Sequence, residues 1–181
     1  ATKGQVWNFK SIDGQLFCGH HNGTFLIEGK TAKQLSDFKG CWTFLHSKKQ
    51  PDKIIAGTYR GLVLFEKDAA GNWSFARRIA GFDESSRVML FDKGEGIWMT
   101  HGYKGAYHIT LTENMDSVAN VDFYNSRNGF HTDYGINVCR LQDEIVFLSP
   151  EGIFQYSGQT DSMVLSGHFN SLFSAKDISA A

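Results

Sequence analysis

The chain has 181 residues, 41% hydrophobic and 14% aromatic, with a formal net charge of -1. This content suffices to bury a core and excludes a disordered chain. Near neutrality without a long charged run removes the electrostatic footprint of a nucleic-acid or membrane-surface binder, and no apolar run approaches the roughly 18 residues that span a bilayer.

Nineteen glycines and only two prolines mark a chain of many short strands joined by tight turns. Val6-Trp7-Asn8-Phe9 reads as a first strand and Ser11-Ile12-Asp13-Gly14 as a turn. Residues 16–27 then read as two strands folded back at a turn carrying Gly23, with an outer strand near 33–38. Cys41-Trp42-Thr43-Phe44-Leu45 opens a second unit and repeats the Trp-x-Phe of the first. Its polar loop 47–52 holds Pro51 and cannot be strand interior. A second hairpin, 54–65, turns at Gly61; residues 67–72 form a turn and 73–79 an outer strand. In that strand Arg77-Arg78 reads as a solvated edge that blocks strand addition.

The third unit enters at 86–91, turns at 92–96, passes through a hairpin at 97–109 with Gly105 at its turn, and leaves near 119–124. The fourth follows a longer loop, 125–134, with strands at 136–141, a hairpin at 145–156 about Gly152, and 163–165. Residues 174–181 are polar and small and read as a frayed end or the start of a further unit. The turn glycines 23, 61, 105 and 152 recur at a period of roughly 40 to 50 residues, which is the signature of propeller blades.

The expected fold is therefore all-β, a β-propeller fragment of four blades, each a four-stranded antiparallel sheet, spanning about 5–40, 41–82, 86–125 and 135–173. The chain starts at Ala1 without Met or a signal peptide and reads as a segment of a longer protein. Four blades lie at the lower limit for ring closure. Open blade faces at the two ends predict self-association as a dimer.

Positions that stay apolar in every repeat are core positions: Trp98 with Phe17, Ile55 and Val146, and Tyr107 with Phe25, Val63 and Phe154. Cys18, Cys41 and Cys139 share no CxxC spacing and read as buried thiols, with a Cys18–Cys41 disulfide as the alternative.

Loops joining blades lie on the same face as the turn of each middle hairpin, so ligand contacts are expected there. That face carries His20, His21, Asn22, Pro150 and Glu151, with Asp83, Glu84, Ser86, Arg127 and Asp133 in the inter-blade loops. The candidate ligand-binding residues are Tyr59, Arg60, Arg87, His101, Tyr103, Lys104, Asn128 and His131. Rings beside amide, carboxylate and cationic groups suit a carbohydrate or other small polar ligand. The histidines lack metal-ligand spacing and are expected as solvated turn residues; no cofactor, metal or catalytic residue is expected. Paired carboxylates keep a glycoside hydrolase as a weaker alternative, with Asp83 or Glu84 needing a partner such as Asp133. A structural or protein-interaction propeller without a small ligand is the main alternative.

The runs Gly81-Phe82-Asp83-Glu84-Ser85-Ser86-Arg87 and Asp92-Lys93-Gly94-Glu95-Gly96-Ile97-Trp98-Met99-Thr100-His101-Gly102-Tyr103-Lys104-Gly105 resemble the sensor propellers of Bacteroidetes hybrid two-component sensors and triple-tyrosine-domain regulators. Tyr124-Asn125-Ser126-Arg127-Asn128-Gly129-Phe130 and Glu144-Ile145-Val146-Phe147 resemble the same family's next blade. The hallmark, an acidic-Gly turn followed by Ile-Trp and a Gly turn, is best kept in the third repeat; Ile55 and Val146 replace the Trp elsewhere. The resemblance implies a periplasmic sensor region that responds to a glycan or nutrient signal. Its further blades, output domain and membrane helix would lie outside this chain, so no membrane contact by this segment is expected.

Overall fold

The protein's structure, a computed structural model, describes residues 3–173; the predicted tail at 174–181 lies outside them. Four antiparallel sheets, each of four strands in chain order, make up the molecule. The first holds β1 (Val6–Ile12), β2 (Gln15–His20), β3 (Gly23–Glu28) and β4 (Thr31–Ser36). The second holds β5 (Thr43–His46), β6 (Lys53–Gly57), β7 (Leu62–Lys67) and β8 (Trp73–Arg78). In the third are β9 (Val88–Phe91), β10 (Ile97–His101), β11 (Gly105–Leu111) and β12 (Val118–Tyr124). The fourth has β13 (Asn137–Leu141), β14 (Glu144–Ser149), β15 (Gly152–Ser157) and β16 (Ser162–Leu165), followed by a short helix α1 (Gly167–Ser171). β1 lies against β5, β5 against β9 and β9 against β13, so the first strand of each sheet faces the axis. These are propeller blades.

The middle strands are continuous apolar runs because both of their faces are covered. Phe17 and Leu26 of the first blade pack on Phe44, Ile54 and Val63 of the second. Ile55 and Leu64 meet Met99, Tyr107 and Ile109 of the third, and Trp98 meets Phe147 and Phe154 of the fourth. Phe17, Ile55, Trp98 and Val146 thus point towards the following blade, or in the fourth blade towards the helix. All eight recurring positions are buried, as expected.

Two turn glycines have a steric reason as well as a conformational one. Gly61 and Gly105 adopt φ of 78° and 120°, and a Cβ at either would overlap the carbonyl oxygen of Phe82 or Tyr124, where the outer segment of the blade crosses the hairpin.

Several boundaries differ from the expectation. Ser11 and Ile12 belong to β1, because the turn needs only Asp13 and Gly14, whose φ of 49° and 74° close a two-residue hairpin. The first outer strand is Thr31–Ser36, earlier than expected. Cys41, Trp42 and Ser86 precede their strands; their backbones bond elsewhere, Cys41 N to His20 O at 3.3 Å and Ser86 N to Thr58 O at 2.9 Å, tying each inter-blade connection to the preceding hairpin. Helix α1 was not expected. Ser166 caps it by accepting from Phe169 N at 3.2 Å, and Phe169 covers Val146 and Ile153 on the outer face of the fourth blade. Arg77 and Arg78 are ion-paired, with Glu66 and Asp83 respectively.

Among the described residues no buried cluster joins the fourth blade to the first. The four blades form an arc with a capped end and an open one. Phe9 pairs with Cys18 as Phe44 pairs with Ala56 in the next blade. Yet Phe9 is 56% exposed and Phe44 2%, while Leu16 is 38% exposed and its counterpart Ile54 0%. The first blade carries the face that a neighbouring blade covers elsewhere, and here it meets solvent.

Candidate functional site

The hairpin turns and inter-blade connections share one face, held together by Gly40 N to His21 O at 3.0 Å, Gly61 N to Glu84 O at 3.0 Å and Gly135 N to Gly102 O at 3.2 Å. The eight candidate residues fall on this face in three groups.

The first group lies where blades one and two meet. Tyr59, in the second hairpin turn, places its hydroxyl 3.0 Å from His21 Nδ1 and its ring 5.2 Å from that of Trp42. Trp42 lies 4.1 Å from Trp7, at the start of β1, with the rings tilted by 40°, and the guanidinium of Arg87 sits 5.2 Å above Trp42. The indole N–H groups of Trp7 and Trp42, like that of Trp73 in the core, are buried and make no hydrogen bond among the described residues. Arg60, by contrast, is exposed and only its backbone N is held, by Thr58 Oγ1 at 3.1 Å.

The second group centres on Glu84. Both its carboxylate oxygens accept from Lys104 Nζ at 2.8 Å, and His101 Nε2 stands 3.9 Å away. Burial, reinforced by the charge and hydrogen bond of Glu84, pushes the Tyr107 hydroxyl up to about 12. Tyr103 projects into solvent, 76% exposed, near His101. The third group is smaller: His131 Nδ1 lies 3.5 Å from Glu151, whereas Asn128 is engaged with Asn125 in the capping box of the 126–128 turn.

The carboxylates weighed for glycoside hydrolysis are each committed to a different partner. Asp83 pairs with Arg78, Glu84 with Lys104, and Asp133 accepts from Ser126 N at 2.7 Å, a hydrogen bond that holds its carboxyl below the usual range. Cys18, Cys41 and Cys139 are free thiols, and burial pushes Cys41 up to about 12. Among the described residues no group of three or more His, Cys, Asp or Glu side chains is placed to hold a metal ion.

Sequence reasoning missed Trp7, Trp42 and His21 as partners of Tyr59 and Arg87. The repeated Trp-x-Phe was visible, but it read as strand interior; Trp42 instead lies ahead of β5, after Cys41, whose N bonds His20 O of the preceding hairpin, while its own N bonds Gly57 O. It also missed a cavity of about 380 Å³ at the opposite end of the sheets, between the third and fourth blades.

Two solved structures of the extracellular domain of BT4673 from B. thetaiotaomicron, assigned once to a one component system and once to a hybrid two component system, superpose on this chain. They match with TM-scores of 0.68 and 0.69, over 89% and 91% of its length, at 15% and 16% identity. The chain shares the fold of these extracellular domains. It spans about a fifth of their length, 21% and 22%. No family model matches the chain, and no curated protein matches it.

Proposed function

We propose that this chain is the ligand-binding part of an extracytoplasmic, periplasmic sensor propeller that responds to a glycan or another nutrient. Its binding face is that of the hairpin turns. The observation that carries the reading is the Trp7, Trp42, Tyr59 and Arg87 group, three aromatic rings and a guanidinium gathered where two blades meet. Aromatic faces stack on sugar rings, and a guanidinium beside them donates to a ligand's oxygen acceptors. The likeness in fold to extracellular sensor domains supports the compartment and the role. No helix of the described residues is long and apolar enough to cross a membrane. Ligand binding would shift the populations of blade or dimer arrangements, which a membrane segment outside this chain relays.

The test is calorimetric titration with a mixture of oligosaccharides from depolymerised plant and host glycans. Saturable heat is expected, lost or weakened about tenfold in Trp42→Ala and in Arg87→Ala, as removing a stacked ring or a cation–π partner implies. Absence of heat with every fraction, or heat indifferent to both substitutions, would count against this face.

One observation favours a second reading, a propeller that docks another protein or its own copy: the open face of the first blade, with exposed Val6, Phe9 and Leu16. Self-association through that face is compatible with ligand sensing and is proposed alongside it.

A further inference from the structure

The cavity between the third and fourth blades lies at the end of the sheets opposite the hairpin turns. It is bordered by the β9–β10 turn, with Asp92, Lys93 and Gly94, and by Asp143 in the β13–β14 turn. At about 380 Å³ it falls within the usual range for small-molecule sites, roughly 300 to 1,000 Å³. Three rings line one wall: Trp98 lies 4.4 Å from His108 and 5.3 Å from Tyr156 of the fourth blade, tilted to them by 32° and 52°.

The polar lining is held in place. Asp92 grips His108 Nε2 at 2.9 Å while its other oxygen accepts from Gly94 N and Gly96 N at 2.7 and 2.9 Å. Gly96 is small of necessity, since a Cβ there would lie 2.5 Å from His108 Nε2. Arg140 is fixed by donating to Phe91 O at 2.6 Å and Asp143 O at 3.0 Å, which carries it from the fourth blade across to the third. Gln155 adds an amide able both to donate and to accept.

We infer that this groove is a second ligand site, separate from the hairpin-turn face, and that it takes an uncharged, hydroxyl-rich ring. The half-exposed ring of Tyr156 offers an apolar face to such a ring, while Arg140, Asp143 and Gln155 present both donors and acceptors to its edge. Charges of both signs line the groove, Lys93 paired with Glu144 at 3.5 Å and Arg140 alongside Asp143, so the lining is not a single-sign field built for an anion. Because the walls come from two blades, an occupant bridges them and fixes their relative arrangement.

The test uses methyl glucoside, methyl galactoside and methyl xyloside as neutral probes, against glucuronate and glucosamine as charged ones, followed by NMR of the Trp side-chain N–H and His ring signals. The neutral glycosides are expected to shift Trp98 and His108 saturably and to leave Trp73 unmoved. Tyr156→Ala and Gln155→Ala should each weaken that response about tenfold, whereas Trp42→Ala on the other face should not alter it. Asp143→Asn, at a turn position with φ of 64° that asparagine tolerates, supplies a further lining variant with little risk to folding and should also weaken it. Failure of all three neutral glycosides to move Trp98, equal binding of the charged sugars, or an unchanged response in the lining variants would each overturn the assignment. Loss of binding in Trp42→Ala would assign the signal to the hairpin-turn face instead.

Discussion

At the scale of single residues, Trp98 joins packing to the groove. It is 4% exposed and touches Tyr124, Phe147 and Tyr156 as well as His108. Trp98→Ala should therefore cost about 3 to 5 kcal/mol, read as a lower midpoint in urea unfolding. A variant as stable as the parent would contradict the blade interface described. The cysteines make a second residue-level prediction. Burial raises all three thiols, Cys41 to about 12, and Cys139 is only half-buried. At pH 8 an aromatic disulfide reagent should label Cys139 first, with Cys18 and Cys41 reacting only as the chain opens. Rapid labelling of Cys41 in the folded protein would show that its cluster is not closed.

At the scale of elements, the hairpin glycines and the turn carboxylates bear the load. Gly71 and Gly61 have similar φ, 86° and 78°, but a Cβ at 71 meets nothing within 4 Å, whereas one at 61 strikes the Phe82 carbonyl. Gly71→Ala should cost about 1 kcal/mol for the backbone alone, and Gly61→Ala distinctly more; equal costs in denaturant unfolding would remove the crossing segment from the explanation. Glu95, in the β9–β10 turn, clamps the loop after β5 by accepting from Ser47 Oγ at 2.6 Å, Lys48 N at 2.6 Å and Lys49 N at 2.8 Å. Burial raises its carboxyl, but these hydrogen bonds outweigh burial and hold it below the usual value. A depressed folded value means the contribution is complete above the unfolded value, about 4.3, and fades as pH falls through the folded one. Glu95→Gln should flatten the fall in stability between about pH 5 and 3, and an unchanged slope would show that the clamp is idle. Sequence made the elements legible where a run and its turn are both local, as in the four hairpins and the outer strand at 73–78. It misplaced Cys41 and Ser86, whose backbone partners lie in the preceding blade, Trp42, whose N bonds Gly57 O just ahead of β5, and α1, whose five residues are ordered by contact with Val146 and Ile153 rather than by their own periodicity.

At the scale of the whole molecule, four blades form an arc whose fourth-blade face is covered by Phe169 and whose first-blade face leaves Phe9 and Leu16 exposed. Light scattering over a concentration series should show a dimer that Phe9→Asp dissociates; a monomer at every concentration would leave that face to another partner. The candidate site was half legible. Tyr59 and Arg87 could be placed on the right face from the repeat alone, because the topology fixes where hairpin turns and connections emerge. Their grouping with Trp7 and Trp42 depends on how two blades meet, and the groove near Trp98 depends on a side chain that the repeat identified only as core. The chain's four tryptophans divide between these regions: Trp7 and Trp42 at the hairpin-turn face, Trp98 in the groove, and Trp73 buried between the first two blades. The most direct test of the sensor reading is the NMR response of their four side-chain N–H signals to saturating glycan fragments. The account predicts that Trp7 and Trp42 shift as a ligand settles against their rings while Trp73, buried between the first two blades, stays fixed; signals of Trp7 and Trp42 that remain in place throughout the titration would contradict it.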